Sequence, residues 1–186
     1  MKIAIFASGN GSNFEALVKA YQQGELKATP VVCICDKAGA GVIERARRLG
    51  VEIEVVEPKR HADKAAYERA IIDILRDRDV DLICLAGYMR IIGPTLLEAY
   101  EGRIINIHPS LLPAFKGAHA IQDAFDYGVK VFGVTIHYVD ETLDGGRIIS
   151  QVAVPYEGDD IEELERMIHR AEHRLYVDTV NRMVNA

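Results

Sequence analysis

Residues 2–23, KIAIFASGNGSNFEALVKAYQQ, join an apolar run, a glycine turn and an amphipathic stretch. The run at 2–7 predicts a strand, and the apolar spacing from Asn13 to about Gln23 predicts a helix. Strands that alternate with helices of this length indicate βαβ units and a mostly parallel sheet with both faces covered. The same pattern predicts further strands at 30–35, 51–56, 81–86 and 103–108, and further helices at 41–49, 63–78, 94–100 and 117–127.

The C-terminal third departs from this alternation. Two apolar runs at 129–139 and 146–155 lie close together and predict a hairpin-like pair, so this edge of the sheet should mix strand directions. From Asp159 to the end, apolar residues recur at spacings of three and four, which predicts one long helix. The expected fold is therefore one α/β domain over residues 1–186, Rossmann-like, with a mostly parallel twisted sheet, helices on both faces and a long C-terminal helix.

Composition and charge narrow the class of protein. The net charge of −6 argues against nucleic-acid binding, which needs a basic surface. No stretch reaches the roughly 18 apolar residues of a membrane helix, and the N-terminus lacks the pattern of a signal peptide, so we expect a cytoplasmic protein with no membrane partner. Cys33, Cys35 and Cys84 lie in apolar runs without a second ligand pair at zinc spacing, so we interpret them as core thiols and predict no metal.

The turn ASGNGSNFEA, residues 7–16, separates the first strand from the first helix. In an open α/β sheet this turn lies at the carboxyl edge, where ligands bind. Gly9 and Gly11 permit a tight turn, while Ser12 and Asn13 offer a hydroxyl, an amide and free N–H groups, which suit a phosphate. The third glycine of a dinucleotide fingerprint is absent. Phosphate binding without a dinucleotide is favoured, and tight-turn packing alone is the alternative.

IINIHPSLLP, residues 104–113, places two polar side chains at the end of an apolar strand. Asn106 and His108 are two residues apart, so they project from the same face. An amide donor beside an imidazole suits a carbonyl that becomes tetrahedral, because both groups can hydrogen-bond the oxyanion. Histidine can also hold or give a proton near neutral pH. The alternative is a capping asparagine and a satisfied core histidine.

The loop DETLDGG, residues 140–146, should hang over the same edge and bring a carboxylate to the imidazole from Asp140, Glu141 or Asp144. The glycines that follow Asp144 would allow its backbone to approach a ligand closely. Ser110 does not lie on a nucleophile elbow and the cysteines are expected in the core. Direct transfer to an external acceptor is therefore favoured over a covalent acyl-enzyme.

Five segments resemble the phosphoribosylglycinamide formyltransferase family of the folate-dependent formyltransferase superfamily. The asparagine–histidine core is shared by the whole superfamily, whereas the glycine loop and the length of one domain favour this family. The resemblance implies formyl transfer from 10-formyltetrahydrofolate, as co-substrate, to the amine of 5-phosphoribosylglycinamide in de novo purine biosynthesis. It implies small-molecule partners, a monomer or homodimer, an N-terminal half that binds the ribonucleotide, and a C-terminal half that binds folate and carries catalysis. The segments are SGNGSN (8–13), AGYMRIIGP (86–94), INIHPSLLPAFKG (105–117), GVTIHYVDETLDGG (133–146) and IHRAEHRLY (168–176).

The resemblance also implies roles for individual residues. Asn106 matches the oxyanion donor, His108 the general acid, and Asp144 a carboxylate that keeps His108 protonated and helps to order a water. Glu172 matches a residue that binds the ribose hydroxyls, although its pattern alone indicates surface charge. The other ribonucleotide contacts are Gly11, Ser12 and Asn13, which match the phosphate loop. The folate contacts are Lys64, Met89, Arg90, Ile91, Ile92, Asn106, Asp140, Glu141, Thr142, Leu143 and Asp144.

Two relatives within the superfamily and one protein of another class are alternatives to this family. Methionyl-tRNA formyltransferase would need an added C-terminal RNA-binding domain. Formyltetrahydrofolate hydrolase would need an added N-terminal regulatory domain and usually has a second histidine at Pro109; neither extension is expected in 186 residues. A sensor of phosphorylated metabolites would explain the glycine loop but not the convergence of Asn106, His108 and Asp144. Lys64 stands where the family often has arginine, which keeps the charge but loses the two-pronged hydrogen bond.

Overall fold

A computed structural model describes all residues, 1–186, as one α/β domain. The strands are β1 (Lys2–Ala7), β2 (Thr29–Cys35), β3 (Ile53–Val55), β4 (Leu82–Leu85), β5 (Ile104–His108), β6 (Val131–Tyr138) and β7 (Ile148–Pro155). The helices are α1 (Ser12–Gln22), α2 (Gly41–Leu49), α3 (Lys64–Asp77), α4 (Pro94–Ala99), α5 (Ala120–Tyr127) and α6 (Ile161–Val184), with a 3-10 turn at Pro58–Arg60.

All seven strands form one sheet in the order β3-β2-β1-β4-β5-β6-β7. Strands β1 to β5 pair in parallel, as helical crossovers between them require. β6 is antiparallel to β5 and to β7, so the predicted mixed edge is confirmed. The loop between β6 and β7 is too short to carry a parallel crossover, which explains why these two strands are antiparallel to each other.

Both faces of the sheet are covered, because successive side chains of a strand point to opposite sides. In β1, Ile3 and Ile5 pack in the core beneath α1, α2 and α6. Ala4 and Phe6 pack in the second core beneath α3 and α4. The run of apolar residues in this strand therefore reflects burial on two faces rather than one.

The elements differ from the predicted ones mainly at the edges. β3 has three residues rather than six, because it is the outer strand and pairs only with Cys33–Cys35 of β2. α5 begins at Ala120 rather than 117. The intervening residue Gly117 donates its N–H to Asp144 at 2.8 Å, so this segment serves the loop at the site instead of the helix.

The three cysteines are buried and free, which confirms their interpretation as core residues. Burial raises the pKa of Cys33, and it raises the pKa of Cys84 to about 12. These thiols therefore stay protonated near neutral pH and are poor nucleophiles. No helix of the fold combines the length and the apolar character needed to cross a membrane.

Candidate active site

A cleft of about 570 Å³ lies at the carboxyl ends of β1, β4 and β5. The order of strands reverses between β1 and β4, and such a switch point is where open α/β sheets bind ligands. The turns that follow these two strands are tied together, because Met89 donates its N–H to the Ser8 hydroxyl at 2.9 Å. This hydrogen bond holds the turns after β1 and β4 together at the base of the cleft.

The glycine loop forms one end of this cleft, with Gly11, Ser12 and Asn13 in its lining. Gly11 caps α1 with φ of 79°, a left-handed conformation that favours glycine. A Cβ atom at Gly11 would lie 2.5 Å from Cγ2 of Val42, so packing also requires glycine. Because Ser12 and Asn13 then occupy the first turn, their N–H groups have no partner within the helix. Gly11 is therefore needed for the tight turn itself. The turn also leaves the N–H groups of Ser12 and Asn13 free to bind an anion in the cleft.

The Gly11→Ala substitution should lower the free energy of unfolding by about 2–4 kcal/mol, since it adds backbone strain and overlap with Val42. Gly24→Ala is the matched control, because Gly24 also has positive φ, of 77°, but no atom within 4 Å of its missing Cβ. We expect it to cost only about 1 kcal/mol. Urea unfolding of the two variants measures both values. Equal losses would show that the contact with Val42 contributes nothing.

The imidazole of His108 faces an acceptor on each side. Its Nε2 lies 2.8 Å from the Phe115 carbonyl oxygen, and its Nδ1 lies 3.6 Å from Oδ2 of Asp144. His108 is 5% exposed, so water does not easily compensate a missing partner. A ring with N–H on both nitrogens suits these two acceptors best. The predicted approach of Asp144 to His108 is present in the structure.

The loop that carries Asp144 is fixed by contacts with the segment around Gly117 and with the end of strand β6. Asp144 has φ of 48° and accepts from the Gly117 N–H at 2.8 Å. A Cβ atom at Gly146 would overlap the carbonyl oxygen of Tyr138 at the end of β6. We expected the glycines after Asp144 to admit a ligand. Gly146 instead lets the loop pack against strand β6, which fixes the position of Asp144.

His137 is a site residue that the sequence did not reveal. In the antiparallel register of β5 and β6 it stands opposite Asn106, and its Nε2 lies 3.2 Å from Nδ2 of that residue. Its Nδ1 donates to the Tyr138 carbonyl at 2.8 Å, so Nε2 is the acceptor for the amide. Burial lowers the pKa of His137, which agrees with a neutral ring. The bond fixes one amide hydrogen of Asn106 and leaves the other available. Only the strand register could have disclosed this pair.

His137 should make the fold sensitive to acid. Its pKa in the folded protein is below the value of about 6.5 in an unfolded chain, so the unfolded state binds the proton more tightly. The stability that it contributes is complete above about pH 6.5 and is lost as the pH falls. We expect the urea midpoint to fall less between pH 7 and pH 5 in His137→Gln than in wild type. His119→Gln, at an exposed position, should follow wild type. If the urea midpoint of His137→Gln falls as much as that of wild type, His137 is not the source of the acid sensitivity.

At the other end of the cleft, helix α6 packs on α1 and brings Glu172 to the glycine loop. Glu172 is 5% exposed and accepts from His169 Nδ1 at 2.8 Å and from Asn13 Nδ2 at 3.4 Å. The helical pattern alone predicts that Glu172 is an exposed surface charge, and this prediction is wrong. His169 also lines the cleft, and its bond to Glu172 raises its pKa. His169 was missed because an isolated helix does not show which residues face α1.

The residues predicted to contact folate are mostly gathered at the mouth of the cleft. The apolar side chains of Met89 and Ile91 are 63% and 68% exposed there, and with the exposed Leu143 they line one cleft, as expected of an apolar patch that a ligand covers. Glu141 is exposed and does not line the cleft. Lys64 lies in an adjoining cavity of about 750 Å³ that shares the segment 88–92. The cleft lining includes Met89, Arg90, Ile91, Ile92, Asn106, Asp140, Thr142, Leu143 and Asp144.

Comparison with known proteins agrees with this geometry. The profile of the family described as "Formyl transferase" matches residues 1–180. The chain is 52% identical over 184 residues to the phosphoribosylglycinamide formyltransferase of Bacillus subtilis (strain 168), covering 98% of this chain and 94% of that protein. The structure of glycinamide ribonucleotide transformylase 1 from Geobacillus kaustophilus superposes with a TM-score of 0.94 at 52% identity, covering 98% and 97% of the two chains. Phosphoribosylglycinamide formyltransferase from Bacillus halodurans gives 0.94 at 49% identity, covering 99% and 95%.

The doubly wound sheet carries an amide, an imidazole and a carboxylate in the cleft at the carboxyl ends of its strands, and the formyl transferase profile matches residues 1–180. The chain is therefore a formyl transferase. Within this class the chain belongs to the phosphoribosylglycinamide formyltransferase family, as the resemblance of its five motifs predicted.

Proposed function

We propose that the protein transfers the formyl group of 10-formyltetrahydrofolate to the amine of 5-phosphoribosylglycinamide, giving formylglycinamide ribonucleotide and tetrahydrofolate in purine biosynthesis. One observation carries the proposal. A single cleft has the glycine loop and the buried Glu172 at one end, and Asn106, His108 and Asp144 at the other. A ribonucleotide held by its phosphate and ribose would extend its amine towards these three residues.

The reaction joins the substrate amine to the formyl carbon. As the C–N bond forms, the carbonyl oxygen gains negative charge, which the free amide N–H of Asn106 and the His108 imidazolium stabilise. The bond from that carbon to N10 of the folate then breaks, and the proton lost by the amine is returned to N10. No covalent enzyme intermediate is required, in keeping with the buried, protonated cysteines.

Asp144 would act through the imidazole and through a water. Its Oδ2 faces His108 Nδ1, while Oδ1 lies 4.0 Å from His137 Nε2, so the carboxylate stands between two rings. We infer that it stabilises the charged His108 and orders the water that carries the proton to N10. This carboxylate is thus a positioning group for the imidazole and a direct participant in proton transfer.

The folate would lie across the mouth of the cleft. The exposed apolar side chains of Met89 and Ile91 supply cover for an aromatic ring system, and the loop 140–144 supplies the opposite wall. Lys64 would reach the anionic tail from the adjoining cavity. The two small molecules are then the only partners that the reaction needs, and we propose that the protein carries out this reaction in the cytoplasm.

The proposal is tested by mixing the purified protein with both substrates and following the absorbance change as formyl-folate becomes tetrahydrofolate. We expect turnover that requires the ribonucleotide. Consumption of formyl-folate in its absence would indicate a hydrolase, and transfer to methionyl-tRNA would indicate the RNA-acting relative. Binding of the ribonucleotide with no turnover would favour a sensor of phosphorylated metabolites.

A further inference from the structure

Residues 88–92 line both the cleft and the adjoining cavity, yet they belong to no helix or strand. None of these five residues makes a hydrogen bond from backbone to backbone. Strand pairing therefore does not fix the position of the segment, and its buried backbone groups need other partners. The exposed side chains of Met89 and Ile91 project from it at the mouth of the cleft. Whatever holds the segment thus decides where these apolar groups stand.

Side chains from other parts of the chain hold the segment 88–92. Its start is tied to the turn after β1. In its middle, Arg90 donates from Nε to Oδ2 of Asp36 at 3.0 Å, after the end of β2. Directly after its end, Gly93 donates its N–H to Oε2 of Glu68 at 2.9 Å, on helix α3. The position of the segment therefore depends on contacts with three other elements.

Glu68 is the least expected of these partners, because it is a carboxylate buried on the inner face of α3. It is 2% exposed, and the Gly93 N–H is the only hydrogen-bond partner of its carboxylate. The two residues pack directly on each other, since a Cβ atom at Gly93 would overlap Oε1 of Glu68 and Cε of Lys64. Burial of a carboxylate is costly. Its one hydrogen bond in return fixes the end of the segment 88–92.

We propose that Glu68 is a positioning residue for formyl-folate: by accepting the N–H of Gly93, it holds Met89 and Ile91 where they cover the ligand. The proposal rests on the proposed function for the identity of that ligand. Without an acceptor, the buried N–H has no partner, so the chain shifts to reach water and moves the two apolar side chains with it. The loss falls on the folate, because the glycine loop proposed to bind the ribonucleotide lies elsewhere in the cleft.

Two substitutions of similar length separate the hydrogen bond from the filling of space. Glu68→Met has no oxygen to accept the Gly93 N–H, whereas Glu68→Gln keeps one. Calorimetric titration with tetrahydrofolate, the folate product, measures binding without any turnover. We expect Glu68→Met to bind it about tenfold more weakly than wild type, and Glu68→Gln to bind it within about twofold of wild type.

Steady-state kinetics separates positioning from catalysis and from general stability. In Glu68→Met the KM for formyl-folate should rise about tenfold, while kcat and the KM for the ribonucleotide stay within about threefold of wild type. Gly93→Ala should resemble Glu68→Met, because the added Cβ displaces the same carboxylate. Asp73→Asn is the matched control and should follow wild type, since it removes an exposed carboxylate from the same helix.

Three outcomes overturn the proposal: equal binding of tetrahydrofolate by wild type and Glu68→Met, a loss in Glu68→Gln as large as in Glu68→Met, or an equal loss of ribonucleotide binding in Glu68→Met. The last result would mark Glu68 as a residue that only stabilises the fold. If wild type turns over and all variants bind tetrahydrofolate alike, the proposed function stands without this role. If tetrahydrofolate binds as expected but formyl transfer is absent, the proposed function fails and the role of Glu68 stands.

Discussion

His108→Ala should lower kcat for formyl transfer by roughly 10²–10³-fold, because the variant loses both a charged donor to the oxyanion and a proton source. The imidazole is held between the Phe115 carbonyl and Asp144. The measurement is the rate of tetrahydrofolate formation at saturating concentrations of both substrates. Binding of the ribonucleotide alone should change by less than about threefold, since the glycine loop proposed to bind its phosphate lies at the other end of the cleft.

The fold of this variant needs its own check, because a buried ring is being removed. The Phe115 carbonyl loses its donor, and the expected cost is about 1–3 kcal/mol in the free energy of unfolding. His108→Gln keeps a donor of similar reach without the titratable proton. Both variants should therefore remain folded and both should be slow. Near wild-type turnover in either one would remove His108 from the reaction.

Asp144→Asn should lower kcat by about 10²–10³-fold, for a different reason. The amide has nearly the shape of the carboxylate, and its oxygen can still accept from the Gly117 N–H, so the loop should keep its position. What is lost is the negative charge beside Nδ1 of His108 and the proton acceptor for the water. Ribonucleotide affinity should hardly change. An equal loss in turnover and in affinity would mark Asp144 as a loop residue with no part in proton transfer.

Glu141→Gln is the matched comparison for this variant. It removes a carboxylate from the same loop, at an exposed position that does not line the cleft. We expect its kcat and its KM for formyl-folate to stay within about twofold of wild type. A clear rise in the KM for formyl-folate would support the folate contact that the family resemblance predicts for Glu141. Comparison of Asp144→Asn with Glu141→Gln thus separates the effect of the carboxylate beside His108 from the effect of removing any carboxylate from this loop.

Much of the fold follows from local chemistry that the sequence displays directly. Strand β1 agrees with its predicted bounds, because both faces of a central strand select apolar residues and the glycine turn ends it sharply. The five parallel strands follow from the helices between them. The outer strand β3 was overestimated, since pairing with a single neighbour, rather than composition, decides where an edge strand ends.

Some residues of the site could be assigned from the sequence, and others only from the tertiary structure. Asn106 and His108 could be assigned from one strand, because residues two apart share a face and the strand end is the functional edge of such a sheet. The family motifs added Asp144 and Glu172. His137 and His169 could not be found by local reasoning, since their partners Asn106 and Glu172 matter only once β6 has its register and α6 has its rotation on α1. The sequence by itself determined the order of elements and the edge that binds ligands, because both depend on periodicity and turn chemistry. Tertiary structure alone decided that the pKa of His137 is lowered and that of His169 is raised, because hydrogen-bond partners and burial, which shift a pKa, depend on the packing of distant parts of the chain.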